Sequence, residues 1–130
     1  MVSGNEDCIF SKIIESRAPV SIIYEDEMVI GCMDIQSVNQ DHALVFSKVH
    51  VPQLTDLRPN ICAHMFEVAM NFSEAMRASD LRCEGINLLL ADGEAAGQKI
   101  SHVHLHVIPR FEGEGFGFRF NEDYFNLPER

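Results

Sequence analysis

Hydrophobic and polar positions along the chain change period several times, and each change marks an element. In CIFSKIIE, residues 8–15, Ile9, Phe10, Ile13 and Ile14 recur at i, i+1, i+4 and i+5, the spacing of one short amphipathic helix. Pro19 closes that segment. VSIIYED (20–26) and MVIGCMD (28–34) are rich in β-branched residues and are separated by acidic residues 25–27, so they predict a hairpin. HALVFSK (42–48) predicts a third strand. In TDLRPN (55–60), Asp56 or Asn60 would cap a helix with Pro59 near its first turn. Ile61, Met65, Val68, Phe72 and Met76 then recur at spacings of three and four, predicting a helix to about residue 78 with one apolar stripe for a sheet. GINLLLA (85–91) predicts a buried strand, DGEAAGQ (92–98) a loop, and residues 102–108 the last strand. Five antiparallel strands with one long and one short helix make an α+β domain.

Composition narrows the class. A chain of 130 residues with 46% hydrophobic and 23% charged positions suits one domain spanning 1–130, with no repeat and no linker. Its net charge of −10 argues against non-specific binding to nucleic acid or acidic membrane, since both need basic surface. An anionic substrate would need a locally positive pocket. The four cysteines never reach CxxC spacing, which favours reduced thiols and a cytoplasmic setting. MVSGNEDC lacks the basic start and apolar run of a secretory signal, and no apolar run approaches the ~20 residues that span a bilayer.

The chemistry concentrates in SHVHLHVIPR, residues 101–110. On a strand, His102, His104 and His106 share one face, while Val103, Leu105 and Val107 share the other and pack on the core. Successive imidazoles then stand ~7 Å apart. Three readings are open at this point: two ligands of a metal site, a catalytic face for an anion, or surface histidines. The loop upstream, DGEAAGQKI, offers glycines that let backbone N–H groups approach a ligand, which suits phosphate oxygens. Lys48, Lys99 and Arg110 could add positive charge, although each could equally be a solvated surface cation. Histidine can also attack phosphorus itself and form a phosphoramidate that water hydrolyses. That role needs one unprotonated ring nitrogen, with an acceptor holding the other. No metal is required.

HVHLHVI fits the H-φ-H-φ-H-φ-φ signature, φ being hydrophobic, and the chain resembles the histidine triad family. CIFSKII, IIYEDE, MDI, His42 followed by ALVFSKVHV, INLLLADGEAAGQ and HVIPR all stand in that family's order, covering about residues 7–110. The resemblance implies a homodimer whose two sheets join into ten strands. It also implies a purine nucleotide ligand and cleavage at the α-phosphate of nucleoside 5′-phosphate derivatives such as dinucleoside polyphosphates or phosphoramidates. By the same resemblance His104 is the nucleophile, and His102 orients it and serves the leaving-group side. His106 contacts the α-phosphate, and His42 is the fourth histidine. Asp34 binds ribose hydroxyls beside Ile35. Ile9, Phe10 and Ile13 sandwich the base, Gly97 and Gln98 belong to the phosphate loop, and Lys99 lies near the leaving group. No cofactor is implied.

The chain departs from the family pattern at three places. Ala91 stands where relatives place Asn or Gln, and Lys99 where many have Ser or Thr. These two changes keep a second reading open, a nucleotide-binding or sensing module with vestigial activity; a metal-dependent hydrolase is a third. Some relatives carry structural zinc on an N-terminal CxxC plus histidines. Here the pair reads Cys8 and Ser11, so His50 lacks a co-ligand and a closed four-ligand site is not expected.

Overall fold

The structure, a computed structural model, describes residues 8–16, 20–33 and 42–113. Asp34, Ile35 and the aromatic and glycine-rich stretch 114–130 lie outside the described residues. The elements are helix α1 (Ile9–Ile14), strands β1 (Ile22–Glu25), β2 (Val29–Met33) and β3 (Ala43–Ser47), helix α2 (Pro59–Ala78), and strands β4 (Gly85–Leu89) and β5 (His104–Arg110). The strands form one antiparallel sheet in the order β1-β2-β3-β5-β4. The periodicity thus located every element to within a few residues.

Strand alternation sorts the core into two clusters on opposite faces of the sheet. Val29, Ala43, Val45, Val103, Leu105 and Val107 pack with Met65, Val68, Ala69 and Met76 of α2. Ile30, Cys32, Leu44 and Phe46 pack instead with Cys8, Phe10 and Ile13 around α1. The Val103–Leu105–Val107 row lies beneath the long helix, and the histidines therefore belong to the α1 face. Phe72 reaches the sheet because position 31 has no side chain: a Cβ there would come within 2.3 Å of the Phe72 ring.

Two expectations change. The cap of α2 is Arg58, with no side-chain hydrogen bond, and Pro59 occupies the first helical position. Proline needs no N–H partner there and is already set at a helical φ, so the start needs no capping oxygen. Asp56 ends a 3-10 turn, Leu54–Asp56, and Asn60 lies inside the helix. Strand β4, read as buried, is the edge of the sheet, and its Leu88 and Leu89 are 43% and 39% exposed. An apolar run alone does not distinguish a central strand from an edge awaiting a cover.

The acidic break between β1 and β2 has a structural task. Asp26 Oδ1 accepts hydrogen bonds from the Met28 and Val29 N–H groups at 2.8 and 2.9 Å, which builds the turn. Its Oδ2 accepts from Tyr24 Oη at 2.7 Å and from His64 Nε2 on α2. His64 Nδ1 donates in turn to Glu67 at 3.0 Å. Both ring nitrogens donate only in the imidazolium form. Desolvation works against the Asp26 charge, but hydrogen bonds from Tyr24, His64, Val29 and Met28 outweigh it and hold this carboxyl well below the usual range. The Asp26 hydrogen bond, with help from Glu67 and against desolvation, raises His64 above 6.5.

The pH dependence follows by linkage. Asp26 has a depressed folded value, so its contribution is present above 3.8 and is lost only on deeper acidification. His64 has a raised folded value, so its contribution is full below 6.5 and fades as pH rises through the elevated value. Melting temperatures of the protein and of His64→Ala across pH should differ most between those limits and converge in the alkaline range. A gap that stays constant with pH would contradict the charged clasp.

Candidate active site

The β3–β5 pairing brings the histidines into register. Phe46 lies opposite His104 and Leu44 opposite His106, and His42 immediately precedes β3 on the same sheet face. His42 Nε2 and His106 Nδ1 are 3.0 Å apart, close enough for one proton to be shared between two imidazoles. The rings of His104 and His106 meet edge to face with centroids 4.9 Å apart. His42 and His104 are buried, at 2% and 6% exposure, and His106 is half-buried.

The orientation of His104 is decided by a backbone atom. Its Nδ1 lies 2.7 Å from the carbonyl oxygen of His102. A carbonyl only accepts, so Nδ1 carries the hydrogen and the lone pair of the neutral ring resides on Nε2. Phe10 packs against the His104 ring at a 4.9 Å centroid separation and stacks on Phe46 at 4.4 Å. An aromatic wedge and a carbonyl thus fix both the ring plane and the tautomer.

His102 is fully buried, and its ring nitrogens face protein partners. Nε2 donates to the Ser47 carbonyl at 2.6 Å. Nδ1 lies 3.1 Å from His50 Nδ1 and 3.5 Å from Cys8 Sγ. Desolvation pushes its pKa down to about 4 against the Ser47 hydrogen bond, with the charges of His50 and His104 acting in the same direction as burial. The ring is therefore neutral at pH 7. Its place in the triad orients His104 through the main chain, and the imidazole anchors the beginning of the strand.

The loop before β5 is built on two glycines. Gly93 (φ 99°) and Gly97 (φ 97°) flank a 3-10 turn, Glu94–Ala96, in backbone conformations that L side chains rarely adopt. Gln98 holds the loop shut: its Oε1 accepts from Gly93 N–H at 2.7 Å, and its Nε2 donates to the Pro52 and Ile100 carbonyls at 2.7 and 2.9 Å. The side chain is saturated by backbone partners, so Gln98 shapes the loop. Lys99 is exposed and Ala91 half-buried. Of the positions expected at the base, Phe10 and Ile13 are 2% and 5% exposed within the α1 cluster, while Ile9 is half-buried. Lys48 pairs with Glu25 at 2.8 Å.

Sequence reasoning missed the Ser47 and His102 carbonyls, because backbone acceptors leave no residue signature. It also missed the Phe10–Phe46 stack, and it grouped Cys8, Ser11 and His50 only through the family's zinc pattern, without placing them around His102. The fold brings Cys8 to His102 across 94 residues of sequence and Ser11 to His50 across 39.

A five-stranded antiparallel sheet that carries a strand of alternating histidines against a glycine loop defines a histidine triad protein. The chain belongs to the HIT domain family, whose signature matches residues 15–113. The chain is similar to a zinc-bound histidine triad family protein from Mycobacterium smegmatis. That match has 40% identity and a TM-score of 0.81, covering 90% of this chain and 84% of that one. It is 37% identical to an adenylylsulfatase of Arabidopsis thaliana, over 82% of this chain and 53% of that protein. It is 32% identical to an adenosine 5′-monophosphoramidase of Saccharomyces cerevisiae, over 79% of this chain and 62% of that protein. Among the described residues no helix is long and apolar enough to cross a membrane.

Proposed function

We propose that the protein is a nucleotidyl hydrolase or transferase acting at the α-phosphate of purine nucleoside 5′-phosphate derivatives, through a covalent nucleotidyl–His104 intermediate. The observation that carries this reading is the Nδ1–H hydrogen bond from His104 to the His102 carbonyl, which leaves the lone pair on Nε2. An imidazole held in that tautomer is a nucleophile that needs no prior deprotonation.

Nε2 attacks the α-phosphorus in line, and an N–P bond forms as the bond to the leaving group breaks. The departing group keeps the electron pair and takes up a proton. The His42–His106 pair, sharing a proton at 3.0 Å, is the source of that proton and of positive charge beside the phosphate oxygens. Water then attacks phosphorus, the N–P bond breaks, and the nitrogen recovers its lone pair as the nucleoside monophosphate leaves. The water proton returns to the imidazole pair. Glycine loop 93–97 would present backbone N–H groups to the phosphates, and Asp34 and Ile35 the ribose and base subsite.

The names of two relatives, an adenylylsulfatase and an adenosine 5′-monophosphoramidase, support the adenylyl class and differ only in the leaving group. Lys99, exposed beside the loop, favours an anionic leaving group over an amine. Rates of nucleoside monophosphate release should be compared for adenylyl sulfate, an adenosine phosphoramidate and a dinucleoside polyphosphate. Turnover of at least one is expected. Nucleotide binding without release from any of them would leave the binding-module reading standing.

The working unit is a homodimer joined at β4. Leu88 is opposite Val107 and thus on the α2 side of the sheet, while α2 itself leaves Phe66 and Met70 41% and 63% exposed. An edge strand with two exposed leucines is a template for a second copy. Light scattering should give twice the chain mass, and Leu88→Glu should give the single-chain mass. A wild-type monomer at micromolar concentration would contradict the dimer.

A further inference from the structure

The glycine loop before β5 is closed on itself. The N–H groups of Ala96 and Gln98 donate to the Gly93 carbonyl at 3.0 and 3.1 Å, and that of Gly97 donates to the Glu94 carbonyl at 2.9 Å. With Gly93 N–H held by the Gln98 side chain, four of its amides are engaged inside it. A loop bonded in this way is one piece, and its place beside the histidine strand depends on what grips it from outside.

Much of that grip comes from residues 51–54. The Pro52 carbonyl accepts from Gln98 Nε2 at 2.7 Å, and Leu54 N–H donates to Asp92 Oδ1 at 2.9 Å. The same segment holds the catalytic strand, because the Val51 carbonyl accepts at 2.8 Å from the N–H of Val103, the residue between His102 and His104. Loop and strand are thus referenced to one strut. Leu54 opens the 3-10 turn Leu54–Asp56, and Gln53 before it makes no side-chain cap bond. The first N–H groups of a helical turn have no partner within it. Asp92 supplies the missing acceptor from 38 residues away. Its charge is of no help to a phosphate held by the neighbouring loop, since like charges repel. The use of Asp92 is therefore the bond to Leu54.

We propose that Asp92 is a positioning residue. By capping Leu54 it fixes the glycine loop in register with the histidine strand, and turnover depends on that bond although Asp92 touches no reacting atom. The inference rests on the nucleotidyl reading of the site.

Three variants of the full chain test it. Asp92→Ala removes the acceptor, and Asp92→Asn keeps an oxygen in its place without the charge. Leu54→Pro removes the donor. Gln53, at φ −117° and ψ 153°, already has the conformation that a following proline requires, and the first position of a helical turn suits proline. Measured well below each melting temperature, kcat/KM for an adenylyl substrate should fall ~10–100-fold in Asp92→Ala and in Leu54→Pro, since a misplacement of about 1 Å costs ~10²-fold. Asp92→Asn should stay within about threefold of wild type. Adding Asp92→Ala to Leu54→Pro should bring no further loss, because both changes act through one bond. Amide exchange at Leu54 reads the tether with no substrate present: slow in wild type and Asp92→Asn, fast in Asp92→Ala. A wild type that releases product from no nucleotide would sink the hydrolase reading alone. Affinity for adenosine monophosphate then replaces the rate, with the same ranking of variants expected. The positioning role is overturned if Asp92→Ala keeps the wild-type rate and affinity, or if Asp92→Asn is as impaired as Asp92→Ala. Additive losses in the double variant would overturn it too, as would a Leu54 amide that exchanges equally fast with and without Asp92.

Discussion

His104→Ala is expected to lower kcat by ~10⁴-fold or more while leaving nucleotide affinity within a few-fold of wild type, since removing a covalent nucleophile removes the reaction path and not the subsite. The ring stands between Phe10 and His106 and donates to the His102 carbonyl, so its loss leaves a small space beside the loop and the His42–His106 pair. Single-turnover kinetics and equilibrium binding of a non-hydrolysable nucleotide separate the two effects. If kcat falls no more than tenfold, the nitrogen that attacks phosphorus is not His104.

The second large effect falls on stability. His102→Ala should destabilise the fold by about 2–4 kcal/mol, because it empties a buried ring site and leaves the Ser47 carbonyl without the N–H that reaches it. Phe10 and Phe46 each lose an edge-to-face contact with that ring. For a chain of this size the melting temperature should drop by roughly 5–15 °C. The catalytic step should suffer far less than in His104→Ala, because the group that orients His104 is the residue 102 carbonyl, which alanine retains. Chemical denaturation and kcat measured on the same variant check both halves. Equal loss of kcat in the two variants at a temperature where both are folded would assign the His102 ring a direct part in the reaction.

This contrast also marks how far the sequence could be read. Strand alternation placed His102, His104 and His106 on one face and the Val103–Leu105–Val107 row under α2, and the structure bears out that division. The helix at 61–78 was legible because a single stripe of Ile61, Met65, Val68, Phe72 and Met76 has one period throughout. The function of each histidine was not legible from its residue type. His102 and His104 are identical in sequence terms, yet one ring is spent on Ser47, His50 and Cys8 while the other is held by a carbonyl. Tertiary partners decide that difference, and a backbone oxygen leaves no trace in the pattern of side chains.

Strand β4 failed to read correctly for a related reason. GINLL is as apolar as a central strand, and nothing in the run says whether a neighbour within the chain or a second chain covers it. The Asp26–His64 clasp was likewise invisible, because it joins a turn to a helix 38 residues away. Gln98 was placed correctly in the loop, but its three backbone partners give it a shaping part that spacing could not specify.

The most direct measurement is mass spectrometry of the protein mixed with an adenylyl substrate and quenched in the pre-steady state under conditions that preserve N–P bonds. One adenylyl group per chain, located by fragmentation on His104 and absent from His104→Ala, is the predicted result. An adduct on another side chain, or rapid turnover with no adduct at any time point, would contradict it.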